Sequence, residues 1–275
     1  VNRYKEIFER YEVPFSKTED QALAEVERKI AAGITARETR VIGINWLRVA
    51  SIAASVVIVA GAVFFMTKGG NDVLVAAAAG FTKEVSLPDG SKVILNASSE
   101  ISYNDDWSEE RTLNLTGEAY FEVVKGGKFS VNTSHGSVEV LGTSFDVFAR
   151  TEKFDVKCFT GKVAVTSQNQ SVVLNPGEEI NFEQGKLLTE KFELSKTDWK
   201  ADLFEYEGES IKNIVLEVER QFNVNIDLQT DGEKVIDVFF SKEAGLDKAL
   251  TDICRAGRFT HSKGQNGWIV ITDKK

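Results

Sequence analysis

From Val49 to Met66 the chain runs eighteen residues without a charged side chain, between Arg48 and Lys68. As a helix rising about 1.5 Å per residue, the stretch spans roughly 27 Å, close to a bilayer's hydrocarbon core of about 30 Å. Its polar side chains are Ser51 and Ser55, whose hydroxyls can bond back to the preceding helical turn. Its Val, Ile and Phe residues each favour insertion by about 0.3 to 0.6 kcal/mol, and Arg48 at the margin can snorkel. The expected organisation is therefore two soluble parts joined through one transmembrane helix, residues 46–66, bounded by Trp46 and Met66. A buried core helix and a cleaved signal peptide are the rivals. The first would show polar periodicity. The second, with Ala76-Ala77-Ala78 as its cleavage site, would need a much shorter leader than 48 residues.

Positive charge sets the orientation. Arg28, Lys29, Arg37, Arg40 and Arg48 precede the stretch, whereas only Lys68 and Lys83 follow it over a similar distance. The positive-inside rule then puts the N-terminus in the cytoplasm and the C-terminal mass outside it. The net charge of −9 lies almost wholly on that mass, with 24 basic and 34 acidic residues after position 66. Such a field argues against direct nucleic-acid binding. The chain starts at Val1, which points to a missing upstream piece or a non-standard start codon.

Residues 1–45 read as helical. Pro14 ends a first short helix carrying Ile7, Phe8 and Tyr11. Ser16-Lys17-Thr18-Glu19 has capping-box spacing, and the helix after it carries Leu23, Val26 and Ile30 on one stripe before stopping near Gly33. Thr35-Ala36-Arg37-Glu38 repeats the box and opens a helix toward the membrane. So short a segment cannot bury a sizeable core alone. A partner-binding helix fits better than a bare juxtamembrane tail, with Leu23, Val26 and Ile30 as the candidate contacts.

After a small-residue linker, residues 67–80, the period changes to two. Val85/Leu87, Val93/Leu95, Leu113/Leu115, Phe129/Val131, Val138/Val140, Phe145/Val147, Val156/Cys158, Val163/Val165 and Ile180/Phe182 alternate with polar neighbours. Pro88-Asp89-Gly90, Asn104-Asp105, Gly126-Gly127, Gly161 and Asn175-Pro176-Gly177 punctuate them. Residues 81–195 are thus predicted to be an all-β domain, a sandwich or a solenoid-like stack. Tyr120 and Phe121 face opposite sides of a strand, one of them toward the core. Cys158 sits at an apolar strand position, and two free buried thiols, Cys158 and Cys254, are expected rather than a bridge. With only His135 and His261, no zinc site is expected.

Four strings in this region are familiar: LPDGSKVILNASSEISY from Leu87, LTGEAYFEV from Leu115, VLGTSFDVFA from Val140 and LNPGEEINF from Leu174. In wording, order and spacing they resemble the periplasmic domain of FecR-type anti-sigma regulators over roughly 100 residues. Asp89-Gly90 and Pro176-Gly177 make tight turns there, and Gly117 and Gly142 permit backbone a Cβ would hinder.

Residues 203–273 contain a duplication. Ile211, Ile214, Val215 and Val218 have helical spacing, and Leu246, Ala249, Leu250 and Ile253 repeat it 35 positions later. Phe204 and Phe239 each precede their helix by seven, and Val224 and Phe259 correspond after it. Two strand–helix–strand copies predict a small duplicated βαβ domain of α+β type, followed by one more strand at Trp268–Thr272. The unit is similar to the short N-terminal domain of secretins and TonB-dependent receptors, which FecR-type proteins of the Bacteroidetes kind carry at their C-terminus.

No catalytic arrangement emerges. Gly161-Lys162 lacks the glycine a phosphate loop needs at position 156, which is valine, and there is no G-x-S-x-G elbow. Asp105-Asp106, Glu109-Glu110 and Glu178-Glu179 lie in turn-like segments as solvated charge. No enzyme, cofactor or metal is expected. The resemblance implies a single-pass inner-membrane regulator. Residues 1–45 would hold an extracytoplasmic-function sigma factor, either restraining it or supporting its activity. The periplasmic part would receive a signal from an outer-membrane TonB-dependent transducer loaded with iron chelate or glycan. The rival from another class is a membrane-anchored protein whose β-domain binds glycan or an envelope assembly partner.

Overall fold

A computed structural model describes residues 18–33, 57–60, 71–108, 110–150, 153–183, 185–193, 199–264 and 267–274. The chain divides into two units, Val1–Phe64 and Phe65–Lys275. In the first, helix α1 (Glu19–Gly33) has no buried residue, and residues 57–60 are helical and exposed. Trp46, Met66 and most of the uncharged stretch lie outside the described residues, as do Pro14 and the residues of the two other helices expected in the N-terminal segment. Among the described residues no helix is long and apolar enough to cross a membrane.

The larger unit begins with thirteen strands. They are β1 (Asp72–Ala77), β2 (Lys83–Ser86), β3 (Lys92–Leu95), β4 (Ser99–Asn104), β5 (Arg111–Glu122), β6 (Phe129–Asn132) and β7 (Ser137–Val140). Then come β8 (Ser144–Arg150), β9 (Lys153–Cys158), β10 (Val163–Ser167), β11 (Gln170–Leu174), β12 (Glu178–Glu183) and β13 (Lys186–Lys191). They form two sheets that share β5. One runs β1-β4-β5-β6-β7-β10-β11, and the other runs β2-β3-β5-β8-β9-β12-β13. Residues 111–116 of β5 pair with β6 and β4, whereas 117–122 pair with β8 and β3. The strand therefore turns a corner at Gly117 (φ +104°), where it crosses Ser99 so closely that a Cβ would stand 2.6 Å from the Ser99 hydroxyl.

One core fills the sandwich. Both members of most predicted pairs are in it: Val93, Leu95, Leu113, Leu115, Phe129, Val131, Phe145, Val147, Val156 and Cys158 are all buried. Phe121 stacks on Phe145 with ring centres 4.9 Å apart. Asp72–Ala77, expected inside the linker, instead form β1, paired along its length with β4. Val75 and Ala77 reach the core from it, so the small side chains belong to an edge strand.

The corner in β5 returns the chain on itself. Arg111, at its start, donates to the Val124 carbonyl (3.0 Å) and the Gly127 carbonyl just beyond its end. It also pairs with Asp89 at 2.8 Å. Asp89 in turn accepts from the amide and hydroxyl of Ser91 (2.8 and 2.7 Å).

A 3₁₀ turn (Trp199–Ala201) leads into the doubled unit: β14 (Leu203–Ser210), α2 (Ile211–Phe222), β15 (Ile226–Gln229), β16 (Val235–Ser241), α3 (Leu246–Gly257), β17 (Phe259–Lys263) and β18 (Ile269–Asp273). The repeat of 35 holds to the residue in the helices. Caps Ser210 and Gly245 correspond, as do the left-handed residues Asn223 and Arg258 that end them. The strands depart from a simple βαβ. The two first strands, β14 and β16, pair antiparallel with each other, while β15 and β17 flank β18 in a separate sheet. Phe239 also breaks the expected match with Phe204. It is 51% exposed, and the buried partner stacked on Phe204 is Phe240. A bulge between Tyr206 and Glu209 adds one residue to β14, and a one-residue slip swaps the faces of a strand.

Candidate functional site

Helix α1 carries the three candidate contacts on one line. Leu23, Val26 and Ile30 are 61%, 56% and 57% exposed. Offsets of 3 and 4 put them on one face, so three exposed aliphatic side chains stand in a row. The helix is capped two residues later than the sequence suggested, at Thr18 rather than Ser16. Ala22 donates to the Thr18 carbonyl (3.1 Å), and the Gln21 side chain reaches back to the Thr18 amide (3.4 Å). Thr18 and Gln21 therefore make the reciprocal half of a capping box, and Ser16 lies outside the described residues. Lys29 and Glu25 form an exposed pair at 3.6 Å beside the stripe.

The second candidate is the joint between the sandwich and the doubled unit. The outer face of the β3-β5-β8-β9 sheet carries Ile94, Glu118, Tyr120, Asp146 and Asp155, and the doubled unit packs over it. Tyr120 belongs to the second core while its neighbour Phe121 lies in the first, so both are buried, on opposite faces. Lys200 stands 3.3 Å from the Tyr120 ring centre, a cation–π contact, and the Trp199 indole donates to Asp146 at 3.2 Å.

A chain of amides and carboxylates crosses the joint. Gln221 of α2 donates to the Asn96 side-chain carbonyl (2.7 Å) and to Glu217 (2.8 Å). Asn96 donates to Glu118 (2.7 Å). All four residues are buried. Arg220 forks onto Glu217 at 3.0 and 2.5 Å. Arg150 donates to the carbonyls of Ser98 and Ala97 (3.0 and 2.8 Å) and to the Ser99 hydroxyl (2.9 Å). Burial, together with the nearby charges of Asp146 and Glu217, holds the Glu118 carboxyl well above the usual carboxylate range. Burial and the same two glutamates also push the Tyr206 phenol up.

At the far end of the joint, Lys153 of β9 bridges Asp155 (3.4 Å) and Glu209 of β14 (2.8 Å). Burial works against the Lys153 ammonium, but the two carboxylates outweigh it and hold its pKa up. Burial wins at Asp155, which is pushed up to about 6 despite Lys153 and Lys157, with the Glu179 charge adding to it. At the near end the doubled unit clasps Gly80, just after β1. The Gly80 amide donates to the Arg220 carbonyl (2.7 Å), and Lys242 donates to the Gly80 carbonyl (2.8 Å).

None of these joint residues was a candidate from sequence. The signal available was in β5, where Gly117 to Phe121 are buried without alternation, the mark of a strand covered on both faces. Among the described residues no group of His, Cys, Asp and Glu is placed to hold a metal. Cys158 and Cys254 are both free and buried. Burial, with Glu178 adding to it, pushes the Cys158 thiol up to about 11, and burial raises that of Cys254. A thiol reagent such as Ellman's, applied at pH 8, should label neither cysteine in the folded chain and both after denaturation.

Comparison with known proteins agrees in extent with these two parts. The family profile described as FecR protein matches residues 72–164, and that described as FecR, C-terminal matches residues 203–271. Two crystal structures of a candidate anti-sigma factor from Parabacteroides distasonis, at 2.50 and 1.65 Å resolution, superpose with TM-scores of 0.70 and 0.69. Each is 27% identical, and each match covers 74% of this chain and 100% of the solved one. No curated protein matches the chain.

Proposed function

The chain belongs to the family of FecR-type anti-sigma factors, and on that premise we propose that it is a single-pass inner-membrane regulator passing a signal from an outer-membrane TonB-dependent transducer to a cytoplasmic extracytoplasmic-function sigma factor. Membership implies a sigma-factor partner. The observation that carries the finer reading is the bare stripe of Leu23, Val26 and Ile30 on α1. A lone helix of fifteen residues is marginal in water and is stabilised by covering its apolar face. The bias of positive charge before the uncharged stretch supports a cytoplasmic N-terminus. The likeness of the doubled unit to transducer signalling domains supports the relay.

The test is retention. Tagged full-length protein, solubilised in detergent, should carry a sigma factor through purification, identified by mass spectrometry. Val26→Ser should weaken that complex about tenfold, the effect of losing one well-covered aliphatic side chain. A chain that keeps no sigma factor but binds glycan through residues 71–275 would favour the envelope-binding alternative.

A further inference from the structure

We propose that the joint between the sandwich and the doubled unit is a proton-set latch: Glu118 of β5 carries a proton when the joint is closed, and losing that proton loosens the contact. The inference goes beyond the regulatory role above and does not depend on it.

Among the described residues no cation bonds Glu118 directly, although the Arg150 charge acts on it from nearby. From β8, Arg150 gives its hydrogen bonds to Ala97, Ser98 and Ser99, and Asp146 adds a second carboxylate. From α2, Glu217 adds a third, while Arg220 is forked onto Glu217. From β14 comes the Tyr206 phenol, and on β9 the Lys153 ammonium is taken by Asp155 and Glu209. Asn96 donates a hydrogen bond to the Glu118 carboxyl, at 2.7 Å. A neutral carboxyl keeps that bond, because its carbonyl oxygen still accepts. An ionised one would face the carboxylates of Asp146 and Glu217 in a buried site, and the nearby Arg150 charge offsets them only in part.

The two carboxylates come from different parts of the larger unit, Glu118 from the sandwich and Glu217 from the doubled unit. Separating the parts admits water to Glu118 and returns its acidity to the ordinary range. Closure thus binds a proton that the open form releases. Because the closed-state pKa lies above the open-state one, the latch is tightest in acid. It weakens as pH rises from the ordinary glutamate value toward the raised one, and is constant above it. Asp155, also raised, contributes with the same sign over a narrower window up to about pH 6.

The measurement is hydrogen–deuterium exchange of the full chain in detergent micelles, corrected for intrinsic rates, read at the segments around Asn96 and Gln221. Wild type should lose protection as pH rises above the ordinary glutamate range, by up to about tenfold per pH unit until Glu118 has titrated. Glu118→Gln, which imitates the protonated form, should keep only the smaller loss that Asp155 contributes below about pH 6 and hold its protection above it. A flat wild-type profile, or the same slope in Glu118→Gln, would overturn the latch. Should the glutamine variant fail to fold, site-resolved carboxyl NMR on wild type decides. A Glu118 midpoint in the ordinary glutamate range would overturn the proposal, and an elevated one would support it.

Discussion

Gly117→Val should prevent the sandwich from assembling, at a cost above about 4 kcal/mol. Two effects add at this residue. A backbone at φ +104° is strained for any side chain, and the new Cβ would stand 2.6 Å from the Ser99 hydroxyl and 2.8 Å from its Cα. Relief by moving Ser99 is closed off. Its hydroxyl accepts from the Glu118 amide (3.0 Å) and from Arg150 (2.9 Å), so a shift there breaks the corner that lets β5 serve both sheets. Gly90 is the control. It has a similar positive φ of +83° but nothing within 4 Å of its would-be Cβ. Gly90→Ala should therefore cost only about 1–2 kcal/mol, the strain alone. Urea unfolding of the two variants separates strain from collision.

The second large effect is expected at Arg111. Its side chain is 12% exposed and that of Asp89 13%. Arg111→Ala should destabilise by about 3–5 kcal/mol, because it strands a buried carboxylate. It also removes the donor from the carbonyls of Val124 and Gly127. Arg111→Ala combined with Asp89→Asn should recover part of the loss, since the stranded charge is gone. A double-mutant cycle by chemical denaturation measures that difference. Asp89 was legible in the sequence as a turn residue beside Gly90. Its second task, holding the start of β5 to the Ser91 turn, involves a partner 22 residues away and leaves no local trace.

The same contrast runs through the chain. Alternation revealed most of the sandwich strands, because one face of each meets the core and the other does not. It failed where that premise failed. β5 is enclosed on both faces over Gly117 to Phe121, and β1 looked like a linker because its side chains are small. The helical repeat was legible to the residue, since spacing of three and four survives duplication. Phe239 misled because a single inserted residue in β14 exchanges inside for outside. The stripe on α1 was legible because it needs only local spacing. The joint was not, since Gln221 meets Asn96 across 125 residues and neither belongs to an apolar pattern. Fold membership came from four short strings that mostly mark turns and core positions. Such strings identify a scaffold and say little about what lies between its parts.

The clasp on Gly80 gives the molecule a mechanical shortcut. The doubled unit grips the backbone three residues past the end of β1 through two hydrogen bonds. A load applied to that terminal module therefore reaches the segment after the first strand along the peptide as well as through the face of the sheet it covers.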